Sequence, residues 1–204
     1  MKLLHIDSSI LNDNSVSRQL TRDIVDRWRQ DYPDGEVTYR DLAEEAPNHL
    51  SAEILGAGSV DQSQRSAVQR HEVAFGEALM KEFLDADVIV LGAPMYNFSI
   101  PSQLKAWLDR VMVAGRTFKY TDNGPVGLIG GKKVVIVSSR GGIYSESSTG
   151  QAMDHQESYL QVALAFMGIT DISIVRAEGM SMAGKREQAI TFAQKEIHRL
   201  LKAA

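Results

Sequence analysis

Three stretches carry the side chains that could do chemistry. The first is Ser8–Ser9–Ile10–Leu11–Asn12–Asp13–Asn14–Ser15–Val16–Ser17, rich in hydroxyls and amides and ending where a helical pattern begins. Free N–H groups and the positive end of a helix dipole favour an anion at such a place. Ser9, Ser15 and Ser17 add hydroxyl donors and Arg18 a nearby cation, so a phosphate monoester is the natural occupant. The second stretch is Gly92–Ala93–Pro94–Met95–Tyr96–Asn97–Phe98. Met95, Tyr96 and Phe98 offer stacking surfaces, and the backbone around Asn97 offers amides to the polar edge of a flat ring. The third is Ser139–Arg140–Gly141–Gly142–Ile143–Tyr144, whose adjacent glycines permit close backbone approach to a ligand. Taken singly, each has an ordinary reading as well: a helix cap, a loop over the core, a flexible turn.

The elements around these stretches put them together. Leu3–Ile6 reads as a short strand, and Val16, Leu20, Ile24, Trp28 and Tyr32 follow at helical spacing with Ser15 as N-cap. Asp34–Gly35 marks a turn into a half-buried strand at Glu36–Arg40. Val88–Leu91 and Val134–Val137 are apolar runs of the kind buried on both faces of a parallel sheet. Gly92 and Pro94 are expected to stop the first of them. Helices are expected at Gln69–Leu84, Ser102–Val113 and about Ala152–Phe166, with a last strand at Ile172–Val175 and a closing helix carrying Ile190, Ala193, Ile197, Leu200 and Leu201 on one face. Residues 116–125 read as a small hairpin. Residues 41–65 show no clean period and form an excursion, with a short helical piece around Ala52–Leu55.

Five strands alternating with five helices predict an α/β, three-layer, doubly wound five-stranded parallel sheet of flavodoxin-like order 2-1-3-4-5, with residues 1–204 as a single domain. In that topology the loops after the first, third and fourth strands leave the same sheet edge, where ligands of open α/β sheets bind. A phosphate site at one end and a ring clasped by two loops at the other describe a mononucleotide. FMN fits better than ATP, because no Mg²⁺-binding acid follows the phosphate loop and no Walker pattern exists.

Composition narrows the classes. A chain of 204 residues is long enough to bury a sizeable core. With no cysteine, disulfides, thiolate nucleophiles and Cys-type metal sites are excluded. The net charge of −4 and the absence of a Lys/Arg block argue against nucleic acid. No apolar run approaches a membrane span, so the expectation is a cytoplasmic protein off the membrane. His5, His49, His71, His155 and His198 are scattered without metal-ligand spacing, and no metal is expected.

Two motifs raise other chemistry and fail. Gly179–Met180–Ser181–Met182–Ala183 nearly copies a nucleophile elbow, but the only downstream acids and histidine, Glu187, Glu196 and His198, share one terminal helix that cannot fold back to Ser181. Gly130–Gly131–Lys132–Lys133 precedes a strand and lacks the Ser/Thr of a phosphate-binding P-loop.

Pro94–Met95–Tyr96–Asn97–Phe98 followed by Gln103–Leu104–Lys105, the run Thr117–Pro125, Ser139–Arg140–Gly141–Gly142–Ile143, Gly168–Ile169–Thr170–Asp171 and Ala177–Glu178–Gly179 resemble, in order and across essentially the whole chain, the FMN-dependent NADH:quinone reductase/azoreductase family. The resemblance implies a homodimer with one FMN per subunit near the dimer interface. It implies that Ser9, Ser15, Val16 and Ser17 hold the phosphate, and that Pro94, Met95, Tyr96, Asn97, Phe98, Ser139, Arg140, Gly141 and Gly142 hold the ring and its polar edge. The resemblance further implies that Asn97, Phe98 and Tyr120 line the substrate pocket, Tyr120 from the partner subunit. The family's usual Ser–Gln–Ser is Ser15–Val16–Ser17 here, which keeps a backbone contact to phosphate and loses a glutamine one. NADH and then a quinone or aromatic azo compound would use the same exposed ring face, giving ping-pong kinetics. The flavin carries the hydride, so no catalytic side chain is named. A non-catalytic flavodoxin-type electron carrier is the alternative of another class, and an enclosed slot over the ring is what distinguishes the two.

Overall fold

The apolar runs find one another. The computed structural model describes residues 1–202. In chain order the elements are β1 (Lys2–Asp7), α1 (Val16–Asp31), β2 (Glu36–Asp41), α2 (Ala52–Gly56), α3 (Ala67–Asp85), β3 (Val88–Pro94) and α4 (Ser102–Val111). There follow β4 (Phe118–Thr121), β5 (Gly124–Gly127), β6 (Lys133–Ser139), α5 (Ser148–Ala152), α6 (Glu157–Phe166), β7 (Asp171–Ala177) and α7 (Arg186–Lys202). Five strands form a parallel sheet in the order β2-β1-β3-β6-β7, which is the expected 2-1-3-4-5 among the sheet strands. β4 and β5 pair antiparallel as a separate ribbon, the expected hairpin.

The period of two along each strand sorts side chains between two apolar layers. Leu4, Ile6, Ile89, Leu91, Val134 and Ile136 face α3, α4 and α6, meeting Leu79, Phe83, Leu104, Trp107, Leu108, Leu160 and Leu164. Leu3, Val90, Val135, Val137 and Val175 face α1 and α7, meeting Leu20, Ile24, Trp28, Ala193 and Ile197. Each fully buried Leu, Ile or Phe contributes roughly 1.5–3 kcal/mol relative to exposure. These two layers therefore fix the sheet on which the loops stand.

Several boundaries differ from the sequence expectation, for local reasons. Gly92 and Pro94 do not end β3: residues 92–94 pair with Val137–Ser139 of β6. Gly92 is needed inside the strand because a Cβ there would lie 2.6 Å from Asp7 Oδ1. Ser138 and Ser139 belong to β6 rather than to the loop after it. The single helix expected at about 152–166 is two helices, α5 and α6. Asp154 divides them, its Oδ1 accepting the N–H groups of Gln156 and Glu157 at 3.0 Å each. Among the described residues there are seven α-helices, not five, because the 41–65 excursion also holds α2, at the expected place. That excursion is stapled down by a buried pair, Glu72 on α3 and Arg110 on α4, with the Asn48 carbonyl and side-chain amide joined to it. No helix among the described residues is long and apolar enough to cross a membrane.

Candidate functional site

The loops after β1, β3 and β6 meet at one sheet edge. In the first, Ser15 is the N-cap of α1, its Oγ accepting the Arg18 N–H at 3.3 Å. Such a cap stabilises a helix by about 1 kcal/mol. Ser15 Oγ also lies 3.0 Å from Ser17 Oγ. The N–H groups of Val16 and Ser17 find no acceptor among the described residues, as first-turn geometry requires. Ser9, Ser15 and Ser17 are buried against the protein. Two free N–H donors and three hydroxyls at a positive helix end are a donor set suited to a phosphate.

Arg18 departs from expectation. Its guanidinium turns away from the helix end and is buried, donating to the Ser9 carbonyl, the Asp41 carboxylate and the Tyr39 hydroxyl. Asp7 joins this cluster, its Oδ1 accepting Thr21 Oγ1 at 2.9 Å and its Oδ2 accepting the Tyr39 hydroxyl at 3.2 Å. Burial by itself would raise the Asp41 carboxyl, but hydrogen bonds from Arg18 and from the Ala43 N–H, with the Arg18 charge, hold it below the usual carboxylate range. Burial, followed by the charges of Asp7 and Asp41, pushes the Tyr39 phenol up, so it stays a neutral donor.

The second loop continues β3. The Met95 N–H donates to the Ser139 carbonyl at 2.8 Å, and Tyr96 and Ser99 exchange backbone hydrogen bonds at 2.9 and 3.1 Å. That closed turn forces Asn97 and Phe98 to φ +48° and +71°. Left-handed backbone costs a non-glycine residue of order 1–3 kcal/mol and gathers at functional sites. The strained turn leaves the N–H groups of Asn97 and Phe98 without acceptors among the described residues. The Phe98 carbonyl accepts the His155 N–H at 3.0 Å, so the break between α5 and α6 supports this loop. Phe98 is about half exposed and meets Tyr144 edge to face, ring centroids 6.4 Å apart.

In the third loop the Gly141 and Gly142 carbonyls accept the Ser181 and Gly179 N–H groups at 3.0 and 2.8 Å, while their own N–H groups find no acceptor among the described residues. A Cβ on Gly142 would press on the Tyr144 ring at 3.3 Å. Arg140 turns its side chain inward. Its guanidinium is buried among Asp154, Glu157 and Glu178, and its Nε donates to Ser138 Oγ at 2.8 Å. Its N–H and carbonyl are taken by Ala177 and Met180. Arg140 therefore ties the glycine turn to β7 and α6. Glu178 completes the tie by accepting the Tyr144 and Ser145 N–H groups at 2.9 and 3.1 Å.

The edge thus gathers Ser9, Ser15, Val16, Ser17, Met95, Tyr96, Asn97, Phe98, Gly141 and Gly142. Pro94 and Ser139 form its floor as the paired ends of β3 and β6. Tyr120 is not among these: it stands 73% exposed on the ribbon, packed edge-on against Phe118. Asp41, His155 and Glu178 were not foreseen as supports. Only Glu178 carried a sequence signal, the Ala177–Glu178–Gly179 run before the rejected serine elbow. Ser181 of that elbow buttresses Gly141, 3.0 Å from where its Cβ would be.

Residues 1–201 match the protein family described as having a flavodoxin-like fold. The chain is 58% identical over 201 residues to an FMN-dependent NADH:quinone oxidoreductase of Polaromonas naphthalenivorans, covering 96% of this chain and 91% of that one. It is also 58% identical over 198 residues to FMN-dependent NADH:quinone oxidoreductase 2 of Pseudomonas aeruginosa, covering 97% and 96%. Among solved structures, an FMN-dependent NADH-azoreductase from Bacillus anthracis in complex with FMN superposes with a TM-score of 0.91 at 25% identity, covering 100% of this chain and 99% of that one.

Proposed function

The chain belongs to the flavodoxin-like family, alongside relatives named FMN-dependent NADH:quinone oxidoreductase, and from that premise we propose that it is itself such an enzyme, reducing quinones and cleaving aromatic azo compounds. One observation carries the reading. Six backbone N–H groups, those of Val16, Ser17, Asn97, Phe98, Gly141 and Gly142, lack acceptors among the described residues and belong to three loops of one sheet edge. Such a row of donors suits a ligand with a phosphate at one end and carbonyls and ring nitrogens at the other.

FMN, when bound, supplies two-electron hydride chemistry between NADH and the acceptor. The chain's own residues bind and orient. Ser9, Ser15, Val16 and Ser17 hold the phosphate. Pro94 to Phe98 and Ser139, Gly141 and Gly142 hold the ring and its polar edge, with Arg140 fixing the glycine turn from behind. Asn97 and Phe98 border the space that NADH and acceptor share. No side chain acts as nucleophile.

The active unit in this reading is a homodimer of single-domain subunits, residues 1–204 each, with Tyr120 lining the partner's pocket. Exposed apolar side chains support it: Tyr120, Val126 and Leu128 on and beside the ribbon, and Val162 at 69% exposure on α6, against which the ribbon packs through Phe118 and Phe166. The cytoplasm, where NADH is supplied, is the compartment this reading expects.

The test is a visible spectrum. The purified protein is reconstituted with FMN, desalted and mixed anaerobically with NADH. Retained flavin absorbance that NADH bleaches within hand-mixing time, and that quinone restores, is the expected result. Flavin retained but not bleached would instead identify an electron carrier, and no retained flavin would overturn the reading.

A further inference from the structure

Arg18 has five N–H donors, and all five are occupied. Nε and Nη2 converge on the Ser9 carbonyl at 3.1 and 2.8 Å. Nη2 and Nη1 grip the Asp41 carboxylate at 2.7 and 2.5 Å, and Nη1 also donates to the Tyr39 hydroxyl at 3.1 Å. Nothing is left for a ligand anion, and the charge is matched by Asp41 with Asp7 Oδ2 4.0 Å away. What Arg18 governs is a peptide plane. The Ser9–Ile10 bond is trans, so turning its carbonyl inward turns the Ile10 N–H outward. That N–H reaches the Tyr96 hydroxyl at 3.2 Å, and the same hydroxyl lies 3.3 Å from Ser9 Oγ. Ser9 Oγ in turn accepts the Leu11 N–H at 3.3 Å.

We propose that Arg18 is a positioning residue for the phosphate grip: by locking the Ser9–Ile10 peptide it sets Ser9 at the end of α1 and ties that loop to Tyr96. It acts by geometry, not by lending charge to the phosphate. The inference rests on the proposed reading of the Ser9–Ser17 loop as the phosphate end of an FMN site.

The geometry separates Arg18 from any other cation. A lysine ammonium keeps the charge, but it is a point donor on a flexible stem and cannot hold a carbonyl and a carboxylate with paired bonds. The informative variants are Arg18→Lys and the double substitution Arg18→Met with Asp41→Asn. The double variant removes both charges of the close pair together, and buried Asp7 keeps its hydrogen bonds from Thr21 and Tyr39.

The experiment measures dissociation constants of FMN and of riboflavin, which lacks the phosphate, for the apoprotein by flavin fluorescence, beside each protein's melting temperature. Wild type is expected to bind FMN far more tightly than riboflavin. Both variants are expected to lose about tenfold or more in FMN affinity with riboflavin affinity within about twofold, as loss of several charge-assisted bonds in a grip predicts. Full FMN affinity in Arg18→Lys would overturn the proposal in favour of a charge effect. Equal loss of both flavins would overturn it in favour of a general structural role. A wild-type protein that binds flavin without preferring FMN would bring down the phosphate reading itself, before any variant is compared.

Discussion

Ser9 and Tyr96, 87 residues apart in sequence, meet hydroxyl to hydroxyl at 3.3 Å. The contact joins the loop that follows β1 to the loop that follows β3, two strands that are neighbours in the sheet. One loop carries the free N–H groups of a helix end, the other those of a strained turn. A single ligand bridging both would therefore find the distance between its two binding ends already set by the protein. Pre-organisation of this kind reduces the ordering cost of binding.

Glu178 is the corresponding fastening for the third loop. Replacing it with alanine leaves the Tyr144 and Ser145 N–H groups without their acceptor and removes one of three carboxylates around the buried Arg140. Glu178→Ala is expected to cost about 2–3 kcal/mol. At this chain length that lowers Tm by several degrees. Calorimetry on the apoprotein checks it, and an unchanged Tm would show that Asp154 and Glu157 suffice to hold Arg140.

Asp41 makes stability sensitive to acid. Its carboxyl is held below the usual range in the folded chain, so between the folded and unfolded values the unfolded chain binds more protons. Its contribution is full above the ordinary aspartate pKa of about 4 and is lost as pH falls through the folded value. Glu72 acts in the same sense: burial, outweighed by hydrogen bonds from Asn48 and Arg110, leaves its carboxyl lowered too. Asp41→Asn is expected to be about 2–4 kcal/mol less stable at neutral pH, because Arg18 loses a buried partner. Its stability is also expected to fall less steeply below about pH 4 than that of wild type. Urea midpoints across that range measure both effects, and parallel pH profiles would refute the assignment.

Gly127 fixes where the ribbon stands. A Cβ there would lie 2.2 Å from the Gly168 N and 2.3 Å from the Met167 carbonyl carbon, both backbone atoms that cannot swing aside. Gly127→Ala is expected to push the ribbon off the end of α6 and displace Tyr120. If Tyr120 lines the partner's pocket, KM for the quinone rises several-fold while FMN retention stays as in wild type. Steady-state kinetics beside flavin content after desalting decide this, and loss of flavin with unchanged KM would place the ribbon's role elsewhere.

Much of this was legible in the sequence because it is local. The apolar runs at residues 88–91 and 134–137 have the length and β-branched content of strands buried on both faces, and the alternation of strand and helical patterns admits few sheet orders. Ser15 before Val16 and Leu20 is a cap that needs no tertiary partner. The three loops follow from strand order, so their meeting at one edge could be foreseen.

What only the tertiary structure decided is what the long polar side chains do. Arg18 and Arg140 sit beside ligand-type loops in sequence and read as cations for an anion or a ring. Folding instead turns both inward, because Asp41 at the end of β2 and Asp154, Glu157 and Glu178 beside β6 wait there. An arginine's reach of several ångströms lets it choose between solvent, ligand and a distant carboxylate, and sequence spacing does not rank those partners. Arg18 fixes the Ser9 carbonyl and so aims the Ile10 N–H at the Tyr96 hydroxyl, while Glu178 takes the N–H groups of Tyr144 and Ser145. The composition of the loops was written in the chain, but the direction in which their arginines point was settled by distant carboxylates, among them Asp41, 23 positions from Arg18, and Glu178, 38 positions from Arg140.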